Sequence, residues 1–238
     1  MTLLADDVFA KCSDKAGVFT VFRAHCVRAG VQLMSIIAPL PFQSVTSPGT
    51  YIQFWGYDPQ WQAEYLASGW DESGRIEDQI LEYGGPILWR DLESMVNLSA
   101  ANRTILALFF QYHGRLGICM PIFGHYAFQT LLSFSLEGGI TRLDDPRVAA
   151  IAQLASLAQR RYIDLSRLEL RPVTPLSARE QEVIQQMASG RSKKVTADKL
   201  GISASSVDTY LRRIFAKLDV NDRTAAVVRS LALGLVKL

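Results

Sequence analysis

The chain has 238 residues, 49% of them hydrophobic and 20% charged, with a formal net charge of +2. That length accommodates two small domains or one large one, and the balance excludes a largely disordered chain. No apolar run approaches the roughly 18 residues needed to cross a bilayer, and residues 1–7 lack the basic stretch and apolar core of a signal peptide, so a cytoplasmic protein with no membrane partner is expected.

Residues 5–29 carry Val8, Phe9, Val18, Phe19, Val21 and Phe22 and read as one or two helices. Residues 31–40 and 51–55 read as strands on either side of a turn-rich stretch at 44–49. Helices follow at 59–68 and at 98–112, the second burying Ile105, Leu106, Leu108 and Phe109. Residues 115–123 and 126–136 form a hairpin around Gly124 and His125. Asp145 is an N-cap and Pro146 suits the first position of a helix running to about Leu168. Helices on both sides of a mostly antiparallel sheet predict an α-β-α sandwich over residues 1–168. Cys12, Cys26 and Cys119 are widely spaced, with no CxxC pair; they read as buried thiols of a reducing compartment rather than a disulfide or a zinc site.

Pro172 and Pro175 cannot continue that helix and favour an extended connector, giving a linker at 169–175 and a second domain at 176–238. From Leu176 onward eleven Lys+Arg face six Asp+Glu, a net of +5; fourteen against seventeen remain before it, a net of −3. An acidic front and a basic tail suggest different partners, the tail facing a polyanion, although solvated charge alone would give the same split. Ser177 and Glu180 form a capping box. Residues 192–200 read as a short helix closed by Gly201, with Ile202 as an apolar plug. Ser203 caps a second helix over 204–218, with Val207, Leu211, Ile214 and Leu218 on one stripe. Ser205, Thr209, Arg212, Arg213 and Ala216 fall on the opposite face. Two helices joined by a tight glycine turn, the second basic on its outer face, describe a helix-turn-helix; a helical bundle with a solvated face fits the same pattern. Arginines there can grip guanine edges or phosphates, and small hydroxyl residues permit close approach to the groove.

The strings LSAREQEVI (176–184), GRS (190–192), LGIS (200–203), Ser206-Val207 and Lys217-Leu218 resemble the DNA-binding domain of LuxR-type transcription regulators over essentially all of 176–238. The resemblance implies a four-helix domain that binds double-stranded DNA, with Lys193, Lys194, Ser205, Ser206, Thr209, Arg212, Arg213 and Lys217 as DNA-binding residues. Glu180, Ile184 and Gly190 take the family's characteristic scaffold positions. Two positions depart from the pattern: Gln186 stands where a tryptophan is usual, and Asp208 where lysine is common, which puts one phosphate contact in doubt. A last helix from about Arg223 to Leu233, capped by Asn221 or Asp222, looks like the family's dimerisation helix, although Val227, Val228 and Leu231 could equally serve the monomer core.

The same tail ends two-component response regulators, but the Val/Ile-rich parallel strands of a phosphoacceptor domain do not follow Asp6-Asp7. Instead GYDPQWQAEY (56–65), PILW (86–89) and RLGICMPI (115–122) resemble the acyl-homoserine-lactone-binding domain of LuxR-type quorum-sensing regulators. The resemblance implies an N-acyl-homoserine lactone as signal ligand, no other cofactor, and Tyr57, Trp61, Tyr65, Asp78, Trp89 and Ser133 as ligand-binding residues. Asp78 would accept from the ligand amide, Trp61 would donate to the lactone carbonyl, and Tyr57 and Ser133 would donate to the amide carbonyl, pairing each buried polar group. Tyr65 and Trp89 would cover ring and tail. Asp78 is followed by Gln79 rather than the usual proline, and about four extra residues at 71–74 precede it, so Glu77 is the alternative acid. A ligand-independent regulator of the same architecture is the other reading. A homodimer is expected, with the 146–168 helix and the terminal helix as candidate interfaces, and RNA polymerase is a further partner. There is no GxSxG, P-loop or HExxH, and His25, His113 and His125 lack neighbours at metal-ligand spacing, so no enzyme is expected.

Overall fold

In the computed structural model, residues 8–39, 50–67, 76–124, 128–170 and 174–237 are described. The expected turn at 44–49, the insertion at 71–74, His125 and linker residues 171–173 lie outside them. The first helix, α1 (Lys15–Arg28), starts where the Asp14 carboxylate accepts from the Gly17 N–H at 2.7 Å. Strands β1 (Val31–Pro39) and β2 (Thr50–Trp55) precede helices α2 (Pro59–Ala67) and α3 (Ile76–Tyr83). A two-residue strand β3 (Ile87–Leu88), a 3-10 turn at Trp89–Asp91 and the short α4 (Leu92–Met95) lead to α5 (Ala100–His113), capped by Ser99. Strands β4 (Gly117–Phe123) and β5 (Gln129–Leu136) then form the expected hairpin, and α6 runs from Pro146 to Leu170. The periodicity argument did not resolve α3, β3 and α4, whose lengths of eight, two and four residues are too short for it.

The sheet runs β2-β1-β5-β4-β3 with every neighbouring pair antiparallel. Strand pleating sends alternate residues to opposite faces. Ser35, Ile37, Cys119, Leu131 and Ser133 face α2, α3 and α5, whereas Ile36, Ala38, Ile122, Thr130 and Leu132 face α1 and α6. The sandwich expected for this part of the chain is therefore present. Register aligns Phe54 with Ser35, Ser35 with Ser133, Ser133 with Cys119 and Cys119 with Ile87, one row across all five strands. Beside that row Gly117 leaves room for the buried Trp89 ring: a methyl group on it would stand 2.4 Å from the indole. Cys12, Cys26 and Cys119 are buried free thiols, and burial pushes Cys26 and Cys119 up to about 12. No helix among the described residues is long and apolar enough to cross a membrane.

Contacts divide the chain into two compact units that meet in sequence within α6, after Tyr162. The second unit holds α7 (Ala178–Ala188), α8 (Lys193–Leu200), α9 (Ala204–Leu218) and α10 (Arg223–Ala232). Ser177, Ser192, Ser203 and Asp222 cap them, each accepting from a backbone N–H three residues on. Gly201 adopts the left-handed conformation (φ 64°), and the Ile202 N–H donates back to the Ala197 carbonyl, closing α8 as a Schellman turn. Val183, Ile184, Met187, Val207, Ile214 and Leu218 form the core. At its edge Glu180 accepts from the Ser177 N–H and from Lys217 Nζ, each at 2.7 Å, and Lys217 also donates to the Pro175 carbonyl.

Gly117→Ala should cost about 1–3 kcal/mol, because the Trp89 ring must leave its seat. A lower urea midpoint at unchanged slope is expected, and a midpoint equal to wild type would mean that the ring shifts freely.

Burial raises the Glu180 pKa, but the Lys217 ammonium and the Ser177 donors outweigh it, so the carboxyl titrates below its ordinary 4.5. Its contribution is therefore present above that value and lost as pH falls through the lower, folded-state value. Glu180→Gln should flatten the pH dependence of the second unit's unfolding between pH 6 and 3. Lys217→Met should cost about 1–3 kcal/mol by leaving a buried carboxylate without its cation. Circular dichroism melts across that pH range test both, and parallel curves for wild type and Glu180→Gln would refute the linkage.

Candidate functional site

Helix α2 begins where Asp58 Oδ1 accepts from the backbone of Gln60 (2.8 Å) and Trp61 (3.3 Å), with Pro59 in the first turn. The four-residue spacing of Tyr57, Trp61 and Tyr65 then places three aromatic rings on one face. Trp61 stacks between Tyr57 and Tyr65, 5.1 Å from each, and Phe54 of β2 meets all three edge-on at 5.5–5.6 Å. These rings wall a cavity of about 550 Å³ counting its mouth. Its floor is Ser35, Ser133 and Cys119 of the cross-sheet row; Glu77 and Ile80 of α3 and Phe109 of α5 complete it.

The polar groups of the cavity divide into paired and unpaired sets. Trp89 Nε1 donates to Ser133 Oγ at 2.9 Å, the Cys119 thiol donates to the same oxygen at 3.4 Å, and the Tyr65 hydroxyl donates to Glu77 Oε1 at 2.7 Å. Tyr57 Oη and Trp61 Nε1 are buried and make no hydrogen bond of good geometry, although the Ser35 and Ser133 hydroxyls lie close to the phenol. Burial pushes the Tyr57 phenol well above its ordinary range despite the nearby Ser35 and Ser133 hydroxyls, so it stays a donor. Unpaired buried donors are costly, and two on residues lining one space call for an acceptor there. A second cavity, between α1, α6 and the other sheet face, lacks this feature: Gln159 donates to the Ile122 carbonyl and to Thr130 Oγ1 across it.

Of the ligand residues expected from the sequence, Tyr57, Trp61, Tyr65, Trp89 and Ser133 line this one cavity. Asp78 does not; the alternative acid, Glu77, does, and is 7% exposed. A helix turns roughly 100° per residue, so the two neighbours cannot share a face. Ser35, Phe54, Phe109 and Cys119 were missed. A serine inside the apolar β1 run was the one available signal, because buried hydroxyls need partners. His113, excluded above only as a metal ligand, also packs here: its ring lies 4.8 Å from Tyr57 and 5.1 Å from Trp61, and burial lowers its pKa against the pull of Asp58.

In the second unit Arg212, Arg213, Lys194 and Ser205 are exposed, and none of the three cations has an acidic partner among the described residues. Thr209 is half-buried, its hydroxyl donating to the Ser205 carbonyl at 3.1 Å, and Ser206 Oγ lies 2.8 Å from Ser203 Oγ. Two expected DNA-binding lysines are engaged elsewhere. Lys217 turns inward to Glu180, because its position on α9 falls beside the buried stripe rather than opposite it. Lys193 pairs with Asp208, the acid at the position where lysine is common. Gln186, where a tryptophan is usual, accepts from Arg191 NH1, and the Arg191 carbonyl accepts from Arg223 at 2.6 Å, so a polar contact takes the place of ring packing. Val227 and Leu231 of α10 pack against the unit's own core; Val228 is half-buried outside it.

Residues 174–230 match the family "Bacterial regulatory proteins, luxR family". The HTH-type transcriptional regulator y4qH of Sinorhizobium fredii, so named, is 25% identical over 186 residues, 76% of this chain; the chain spans only 56% of that relative's length. Among solved structures, SdiA in complex with octanoyl-rac-glycerol has a TM-score of 0.67 at 17% identity, covering 94% of this chain and 91% of SdiA. The N-acylhomoserine lactone-dependent LuxR-family factor CepR2 of Burkholderia cenocepacia has a TM-score of 0.51 at 13% identity, covering 68% and 93%. Identities this low speak for the fold alone: a mixed helix and antiparallel-sheet domain followed by a helical helix-turn-helix domain. Residues 174–230 are thus similar to the luxR family of bacterial regulatory proteins.

Proposed function

We propose that this protein is a transcription regulator that senses a small acylated ligand, an N-acyl-homoserine lactone, in the α2-α3-α5 cavity. On this reading it binds a two-fold-related DNA site through α8 and α9 as a homodimer and acts on RNA polymerase. The observation that carries the sensing half is the pair of buried, unpartnered donors, Tyr57 Oη and Trp61 Nε1, facing an apolar space beside the Glu77 carboxylate. A lactone ligand offers two carbonyls for those donors, one amide N–H for Glu77, and an apolar tail for the aromatic walls. CepR2 is named as dependent on such a lactone, and the SdiA complex holds octanoyl-rac-glycerol, an acyl chain joined through an ester carbonyl to a polar head. The DNA-binding half rests on the family match and on the outward, acid-free Arg212 and Arg213. A ligand-independent regulator is the second reading, favoured by the mutual stacking of Tyr57, Trp61 and Tyr65, which resembles a self-supporting core.

Calorimetry against acyl-homoserine lactones of graded chain length, with octanoylglycerol included, tests the ligand. Tyr57→Phe and Trp61→Phe should each weaken binding by about 1–3 kcal/mol, by removing the partner of a buried carbonyl. Glu77→Gln should weaken it and Asp78→Asn should not; the reverse outcome would restore Asp78 as the anchor. No binding by wild type to any compound would favour the ligand-independent reading.

For DNA, Arg212→Ala and Arg213→Ala should each reduce binding in gel-shift titrations without altering the circular dichroism spectrum. Wild-type affinity in both variants would place the recognition surface elsewhere.

A further inference from the structure

Lys193 is the first residue of α8, and Asp208 lies on α9 one turn beyond the Ser203 cap. The ammonium stands 3.0 and 2.9 Å from the two carboxylate oxygens, so it is shared between them. Both side chains are about half exposed, at 48% and 47%. An ion pair so exposed contributes little to folding; the apolar contacts of Ala197 and Val207 with the domain core hold the two helices together. What the pair does alter is the charge that this surface presents. Asp208 lies four residues before the exposed Arg212, hence on the same side of α9. A bare carboxylate there would repel a phosphate approaching Arg212, and Lys193 cancels it. In return Asp208 holds the lysine charge, while the neighbouring Lys194, Arg212 and Arg213 are left without acids.

We propose that Asp208 withholds Lys193 from the DNA backbone, and that this internal pair limits the domain's sequence-independent affinity for DNA. The inference rests on the DNA-binding reading above. Phosphate contacts carry affinity without sequence information. Removing one lowers binding to every site, the operator included, by about the same factor, so the base-facing groups of α9 carry a larger share of the affinity that remains. Asp208 is then a positioning residue for Lys193, and Lys193 grips phosphate only when Asp208 lets it go.

Non-specific binding needs no knowledge of the operator, so the test uses the full-length protein and a fluorescent 30-base-pair duplex of mixed sequence, with anisotropy read across a salt series. Asp208→Asn keeps the side-chain shape and frees Lys193. It should bind roughly three- to tenfold more tightly than wild type at about 0.1 M salt, with a log-affinity against log-salt slope steeper by about one. Adding Lys193→Gln to Asp208→Asn restores the wild-type net charge, and affinity and slope should both return to wild-type values. A helix merely loosened by the substitutions would not move the slope in these opposite directions, and matched circular dichroism spectra check the fold. An unchanged slope in Asp208→Asn overturns the inference, because the pair then lies off the DNA. A double variant that binds more weakly than wild type, with a shallower slope, overturns it too, because Lys193 then already contacts phosphate beside Asp208. Wild type failing to bind any duplex at low salt overturns the DNA-binding reading itself, and the inference with it.

Discussion

The hydrogen bond from Trp89 Nε1 to Ser133 Oγ ties together everything that makes the first domain a container. It joins the turn after β3 to the middle of β5 and is possible only because Gly117, on the intervening strand, carries no side chain. Ser133 in turn belongs to the row Phe54–Ser35–Ser133–Cys119–Ile87, which antiparallel register carries across the sheet. A slip of one residue in β5 would turn Ser133 to the opposite face and bring in its apolar neighbour Leu132. The polar floor of the cavity thus depends on pairing at long sequence range, and its aromatic wall on the purely local spacing of α2.

Two buried groups of this cavity are kept neutral. Tyr57 and Cys119 hold their protons because burial opposes their charged forms. Glu77 sits under the Tyr65 hydroxyl, a donor that compensates an acid in an otherwise apolar space. Tyr57 Oη and Trp61 Nε1 can both donate, which suits a neutral acceptor better than a cation.

In the helix-turn-helix unit, charge is sorted by direction. Glu180 and Lys217 face inward, where a carboxylate with 3% side-chain exposure needs its cation and its capping N–H donors. Arg212 and Arg213 face outward and form no ion pair among the described residues. Lys193 and Asp208 lie between these extremes, exposed but mutually neutralised. Lysines that look equivalent as letters in one motif thus have different electrostatic surroundings.

Local physics made much of this legible in the sequence. Helix caps at Ser177 and Ser203, the glycine at 201 and the four-residue aromatic spacing of α2 act over fewer than six residues, so α2, α5, α7, α8 and α9 could be read in order, as could the β4–β5 hairpin. The stripe of Val207, Ile214 and Leu218 likewise declared which side of α9 is buried. Only the tertiary structure decided which residues meet across distance. Register brought Ser35, Cys119 and Ser133 to one floor; the phase of the short α3, set by its packing, chose Glu77 over Asp78; and the docking of α7 and α8 on α9 turned Lys217 toward Glu180 and Lys193 toward Asp208. A residue type states what a side chain can bind, whereas the partner it meets depends on helix phase and strand pairing, which arise from contacts between segments far apart in the chain.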